Sequence, residues 1–264
     1  MKMKSMLFAM VFALGFGTLA GQETESAASL YNQGLELLKA KDYAGAFPIL
    51  EKALAVADPE ADAEVVKLAN RNGSIAAYYL GNDLRGGDKF AEALQVYDKG
   101  IAMDPSRYAN FIGRAQAIEG MGDDLAAIDA YIEAGLQSEK AGKADRAPQL
   151  YSKAENMVAK AYSGKNWNNT ISFAQAFLAK RETADVYYYL SQAQLEKGSK
   201  DEALANADKS LELATEDKNK FYFGKAEILK SMGQKSGAIE AYKMVTGGPY
   251  AERAKYEADQ LAKG

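Results

Sequence analysis

Residues 108–134 read YANFIGRAQAIEGMGDDLAAIDAYIEA, and the reading of this stretch decides the fold. Phe111, Ala115 and Ile118 follow one another at spacings of four and three, which puts them on one face of a helix. Gly120-Met121-Gly122-Asp123 interrupts that helix. Ala127, Tyr131 and Ala134 then share one face of a second helix. Two helices of about four turns joined by a short glycine turn make an antiparallel hairpin.

The same hairpin returns along the chain, with starts near residues 27, 74, 108, 151, 184 and 219. Nineteen residues after each start stands a small side chain: Ala46, Ala93, Ala127, Thr170, Ala203 and Ala238. Twelve residues before that lies a second position, mostly small: Gly34, Gly81, Ala115, Val158, Ser191 and Ala226. The intervals between starts are 47, 34, 43, 33 and 35 residues. The two long ones add about two or three helical turns. Repetition at this period fixes the architecture before any local reading, because one hairpin cannot bury its own face and the units must stack.

The two insertions behind the long intervals read as helix extensions. Residues 59–73 carry Ala61, Val65, Leu68 and Ala69, a stripe that runs on into Ile75 and Tyr79. One long helix is expected there, or two broken at Asn72-Gly73. Residues 138–147 lengthen a helix end, with an interruption at Gly142 as one option. Each insertion is either extra buttressing or a ledge for a partner. At the far end, Gly247-Gly248-Pro249 is a turn, and residues 250–263 form an amphipathic helix that covers the last exposed face.

These repeats resemble the tetratricopeptide repeat (TPR) family. The resemblance is carried by the small positions above, by the aromatics that open the second helix (Tyr43, Phe90, Trp167), and by the Asp-Pro ends at Pro59 and Pro105. Segments such as Asp42-Tyr43-Ala44-Gly45-Ala46 and Phe90-Ala91-Glu92-Ala93-Leu94 are similar to that family, and the likeness covers residues from about 27 to 246. Asp124, Lys200 and Lys235 depart from it at the second-helix start, and the fourth unit is the most divergent. The fold class expected is all-α: a right-handed solenoid of about six antiparallel helical hairpins plus a C-terminal capping helix.

Residues 1–21 have the layout of a secretory signal peptide, with Lys2 and Lys4 before an apolar run from Met6 through Ala20 and a polar stretch from Gln22 onward. Cleavage fits after Ala20 or after Gly21. An uncleaved N-terminal anchor is the alternative, although the run is short for a bilayer. The remaining residues, 22–264, are then one solenoid domain with no membrane span. The chain has no cysteine, so a lipid-anchor cysteine, disulfides and thiolate metal sites are excluded. An exported chain of this length without bridges favours a bacterial periplasm or other extracytoplasmic space.

Composition narrows the function. There is no histidine, which with the missing cysteine removes the usual nucleophile–base arrangements and His-based zinc sites. No cofactor and no metal are expected. There are 32 basic and 36 acidic residues, and without Lys2 and Lys4 the count is 30 against 36, a net of −6. Such a charge disfavours nucleic acid and anionic membrane surfaces. The acidic clusters Asp123-Asp124 and Glu60-Asp62-Glu64 sit at helix starts, where they complement the dipole.

The resemblance implies a groove lined by first helices at the second, fifth, ninth and twelfth positions of each unit. The fifth positions are Tyr31, Tyr78, Ile112, Glu155, Tyr188 and Phe223, and the ninth include Asn82, Gln116, Gln192 and Glu227. Tyr162 falls at a twelfth position. The implied peptide-binding residues are therefore Tyr31, Tyr78, Asn82, Ile112, Gln116, Tyr162, Tyr188, Gln192, Phe223 and Glu227. Aromatics beside amides suit an extended peptide, since amides bond a main chain and tyrosines add apolar area with few rotors. A one-residue shift of register would place the tyrosines in the core instead. The chaperone-tail clamp of some family members is missing, because Tyr78 stands where its lysine is expected and Ala109 and Gly113 where its basic pair is.

The expected function is thus a non-catalytic scaffold of the cell envelope that holds a protein or peptide partner. Two alternatives remain. One is a glycan-acting enzyme using Glu155 and Glu227 across the groove. The other is self-association through the ends of the stack.

Overall fold

The computed structural model describes residues 25–263, so the signal peptide expected over residues 1–21 lies outside the described part. Among the described residues there is no strand. The helices are α1 (Ala27–Lys39), α2 (Tyr43–Val56), α3 (Ala63–Gly86), α4 (Phe90–Met103), α5 (Tyr108–Gly120), α6 (Asp124–Lys140), α7 (Ala147–Ser163), α8 (Trp167–Leu178), α9 (Ala184–Glu196), α10 (Lys200–Leu213), α11 (Asn219–Ser231), α12 (Lys235–Lys243) and α13 (Ala251–Lys263). Successive helices pack on one another from α1 to α12, as six hairpins, and α13 packs on α12. No helix among the described residues is long and apolar enough to cross a membrane.

The backbone repeats in register with the sequence. In each hairpin turn one residue has left-handed φ: Lys41, Asp88, Gly122, Lys165, Gly198 and Gly233. Each is the fifteenth residue of its unit. Glycine takes this conformation without the Cβ clash that Lys41, Asp88 and Lys165 accept at the same place. Three of the second helices start immediately after a side-chain cap: Asp42 accepts from the Gly45 amide, Asp123 from Ala126 and Asn166 from Asn169.

Both small positions are buried in all six units. The reason is close approach. A Cβ added to Gly34 would lie 2.7 Å from the Leu50 side chain, and one added to Gly81 would lie 2.5 Å from the Tyr97 ring. Large side chains of one helix therefore seat where the next has none. Ala93 and Ala127, both fully buried, occupy such slots. Ala93→Leu and Ala127→Leu are each expected to cost about 1–3 kcal/mol by overpacking. Urea titration followed by circular dichroism checks this; midpoints equal to wild type would show that the slots are not closed.

The first insertion makes one continuous helix, not two. Gly73 does not end α3, because its missing side chain admits Met103, whose sulfur would lie 2.6 Å from a Cβ there. Neighbouring Asn72 donates to the Tyr31 hydroxyl at 3.0 Å, so the added length braces α1. The second insertion is interrupted. α6 runs to Lys140, Gly142 has φ +71°, and α7 begins at Ala147, about one turn before Tyr151. The C-terminal segment makes a 3-10 turn over Gly248–Tyr250 and then α13, which buries Ala254 and Ala258.

The second insertion changes the packing. First helices α1, α3 and α5 lie side by side, as do α7, α9 and α11. Between α5 and α7 that row opens, and the second helices α6 and α8 touch instead. The ring of Tyr151 fills the space over Gly135, where a Cβ would come within 2.4 Å of it. The first-helix face is thereby divided into an N-terminal half and a C-terminal half.

Candidate functional site

In the N-terminal half, α3 and α5 border a polar cleft of about 350 Å³. Four residues implied by the groove positions meet there: Tyr78 and Asn82 of α3 with Ile112 and Gln116 of α5. Tyr108, Ala109 and Gly113 complete the α5 wall. Two guanidinium groups also line it, Arg85 on the last turn of α3 and Arg146 just before α7. Arg146 reaches the cleft because the insertion ends at the place where the first-helix row opens.

The geometry sets what the cleft presents. Tyr97 of α4 is fully buried behind it, wedged against the glycine positions 81 and 113. Its hydroxyl donates to Asn82 Oδ1 at 2.8 Å. Arg85 Nη2 lies 3.5 Å from the same oxygen. The amide oxygen is thus engaged from behind, which fixes the orientation of the side chain. Burial pushes the Tyr97 phenol above its ordinary range, against a smaller opposing pull from Arg85, so it stays a neutral donor. Deeper between the same helices, the fully buried Asn110 donates to the carbonyl and hydroxyl of Ser74 at 3.1 and 2.9 Å, tying α5 to α3.

The C-terminal half is filled, and here the structure corrects the expected row of open aromatics. Tyr188 is 9% exposed and Phe223 is 6% exposed. The cause in each case is the segment that follows in the chain. Phe221 packs edge-on against Tyr188 at 5.8 Å, and Tyr250 stacks on Phe223 at 4.9 Å. Tyr162 and Tyr189 close on Tyr188 at 6.0 and 5.9 Å. Burial first, then the hydroxyls of Tyr162 and Tyr250, push the Tyr188 phenol far up. Burial likewise pushes Tyr189 up to about 12. These phenols are neutral packing surface.

The remaining implied residues are committed elsewhere. Tyr31 is held by Asn72. Gln192 donates to Ser191 Oγ at 3.3 Å and lies over Gly224. Glu227 accepts from the Tyr242 hydroxyl and pairs with Arg253 of α13 at 3.2 Å. Glu155 has different neighbours. Burial and the adjacent Asp185 raise its carboxyl, while Lys220 and Arg181 oppose that shift. Glu155 and Glu227 share none of these neighbours.

Sequence reasoning missed both arginines of the cleft. Arg85 stands at the twelfth position of its unit, a groove position, and could have been found by that rule. Arg146 carried no signal, since it lies outside every repeat.

The architecture is that of tetratricopeptide repeats, on the chain's own hairpins, register and interlocked small positions. No family model matches the chain, and no curated protein matches it. Solved structures do. A tetratricopeptide repeat protein from Parabacteroides merdae is 17% identical over 90% of this chain and 100% of that one, with a TM-score of 0.36. A thermophilic TPR protein in Thermus thermophilus is 16% identical over 90% and 100%, with a TM-score of 0.33. The TPR2AB-domain:pHSP90 complex of yeast Sti1 is similar at 16% identity over 89% and 98%, with a TM-score of 0.37.

Proposed function

We propose that this chain is an exported, non-catalytic scaffold of the bacterial cell envelope that holds a protein partner as an extended segment on its first-helix face. Residues 1–21 act as the leader, and residues 22–264 form one repeat domain. The observation that carries the binding reading is the cleft between α3 and α5, which gathers Tyr78, Asn82, Ile112 and Gln116 into one polar recess. Tyr78 supplies area and a hydroxyl, and the amides supply main-chain partners. The leader pattern and the absence of histidine and cysteine support the location and the non-catalytic role.

The test is capture of partners from envelope extract by the tagged full chain, with identification by mass spectrometry. Tyr78→Ala with Gln116→Ala is expected to reduce recovery of the principal partner by about tenfold, as the loss of a central aromatic anchor does. Helicity should be unchanged, since both side chains are only partly buried. Undiminished recovery would reject the assigned face. Cell fractionation checks the compartment; a chain that stays in the cytoplasm would reject the export.

A further inference from the structure

The cleft has a charge character that the protein as a whole lacks. The chain is net acidic, yet no carboxylate lines this recess. Its polar groups are two guanidiniums, two tyrosine hydroxyls and two amides. Fourteen ion pairs join charged side chains elsewhere among the described residues, and neither Arg85 nor Arg146 takes part in one. Within the described protein the Arg85 guanidinium reaches only the Asn82 amide oxygen, at 3.5 Å, and its Nε meets no acceptor. A guanidinium that has no carboxylate of its own at the wall of a cleft can offer its outward N–H groups to one supplied by a partner. Asn82 adds to this: its oxygen is already taken by Tyr97 and approached by Arg85, which leaves its NH2 as the free end.

We propose that the α3–α5 cleft receives one acidic side chain, an aspartate or glutamate, of an extended partner segment, with Arg85 and Arg146 gripping its carboxylate from two sides. This deepens the binding role proposed above and rests on it. Guanidinium forks match a planar carboxylate bidentately, and the partial burial of Arg85 strengthens the attraction over that of a fully exposed pair. The short aliphatic stem of the acid lies against Ile112 and Ala109. Arg146 gives the second insertion a role: it closes the cationic site from the far side of the gap in the first-helix row. The carboxylate is a side-chain one within a segment that continues past the cleft, and both cations come from outside the positions of the chaperone-tail clamp.

The experiment uses random 12-residue peptides displayed through a C-terminal fusion, so that none presents a free terminal carboxylate. They are selected on the full chain. Peptides that lose binding on Tyr78→Ala are expected to share an Asp or Glu at one position. Changing that acid to its amide should weaken binding by about tenfold in the wild type and by less than about twofold in Arg85→Gln/Arg146→Gln, the pattern of direct coupling. Arg146→Gln alone, at an exposed position, gives an intermediate difference and serves if the double variant loses helicity. Tyr78-dependent peptides without a common acid, or an acid-to-amide cost that is the same in the arginine variants, would overturn the inference and leave the binding face standing. Selection that yields no Tyr78-dependent peptide would overturn the face itself, and the inference with it.

Discussion

Tyr97→Ala is expected to cost about 3–5 kcal/mol, the range for emptying a fully buried aromatic site. The ring is 0% exposed and stands between α3 and α5, where the glycines at 81 and 113 leave room for it. Alanine would leave a void bordered by two helices that touch through this ring. The two helices also carry the cleft, so their separation loosens the site as well as the core. Tyr97→Phe separates the two effects. It keeps the ring, removes the bond to Asn82, and should cost about 1 kcal/mol. With the Asn82 amide free to turn, peptide binding should fall more than stability does. Denaturant titration of both variants gives the stabilities; a Tyr97→Ala midpoint at the wild-type value would show that the ring does not hold the helices together.

Gly113→Ala carries the second large effect, and its sign opposes simple propensity. Alanine in a helix interior is favoured over glycine by about 1 kcal/mol. Here the new Cβ would lie 2.3 and 2.4 Å from two atoms of the Tyr97 ring. The ring has little room to retreat, because it is fully buried and already packs as closely on Gly81, where a Cβ would lie 2.5 Å from it. Overpacking of this kind costs about 1–3 kcal/mol and outweighs the backbone gain. Gly86→Ala is the control, since nothing lies within 4 Å of a Cβ there. It should be neutral or slightly stabilising. A Gly113→Ala protein as stable as the Gly86→Ala protein in thermal melts would show that the ring has somewhere else to go.

The hairpins were legible in the sequence because their cause is local. A small residue must stand wherever a large one crosses, and Ala46, Ala93 and Ala127 recur at one spacing for that reason. The left-handed turn residue at the fifteenth position follows from the same register, even where lysine or aspartate replaces glycine. What hid was set by neighbours distant in sequence. Tyr188 and Phe223 are fifth-position residues like Tyr78, and nothing in their own units distinguishes them. They are buried because Phe221 arrives from the next unit and Tyr250 from the turn before the capping helix. The opening between α5 and α7 likewise depends on where a six-residue link deposits α7, which composition does not encode. The cleft was half legible: the four repeat positions were in the pattern, and the arginine from outside the repeats was not.

The continuous apolar cluster from Phe111 to Leu190 bridges the very gap where the first-helix row opens, joining α5 through α9. The clusters toward either terminus are smaller. In an array stabilised by nearest neighbours, melting starts where the least is shared and travels inward. The molecule therefore frays from both tips while its waist persists. A processive protease or a pulling motor that engages either terminus meets its greatest resistance at the midpoint, and amide hydrogens there exchange last.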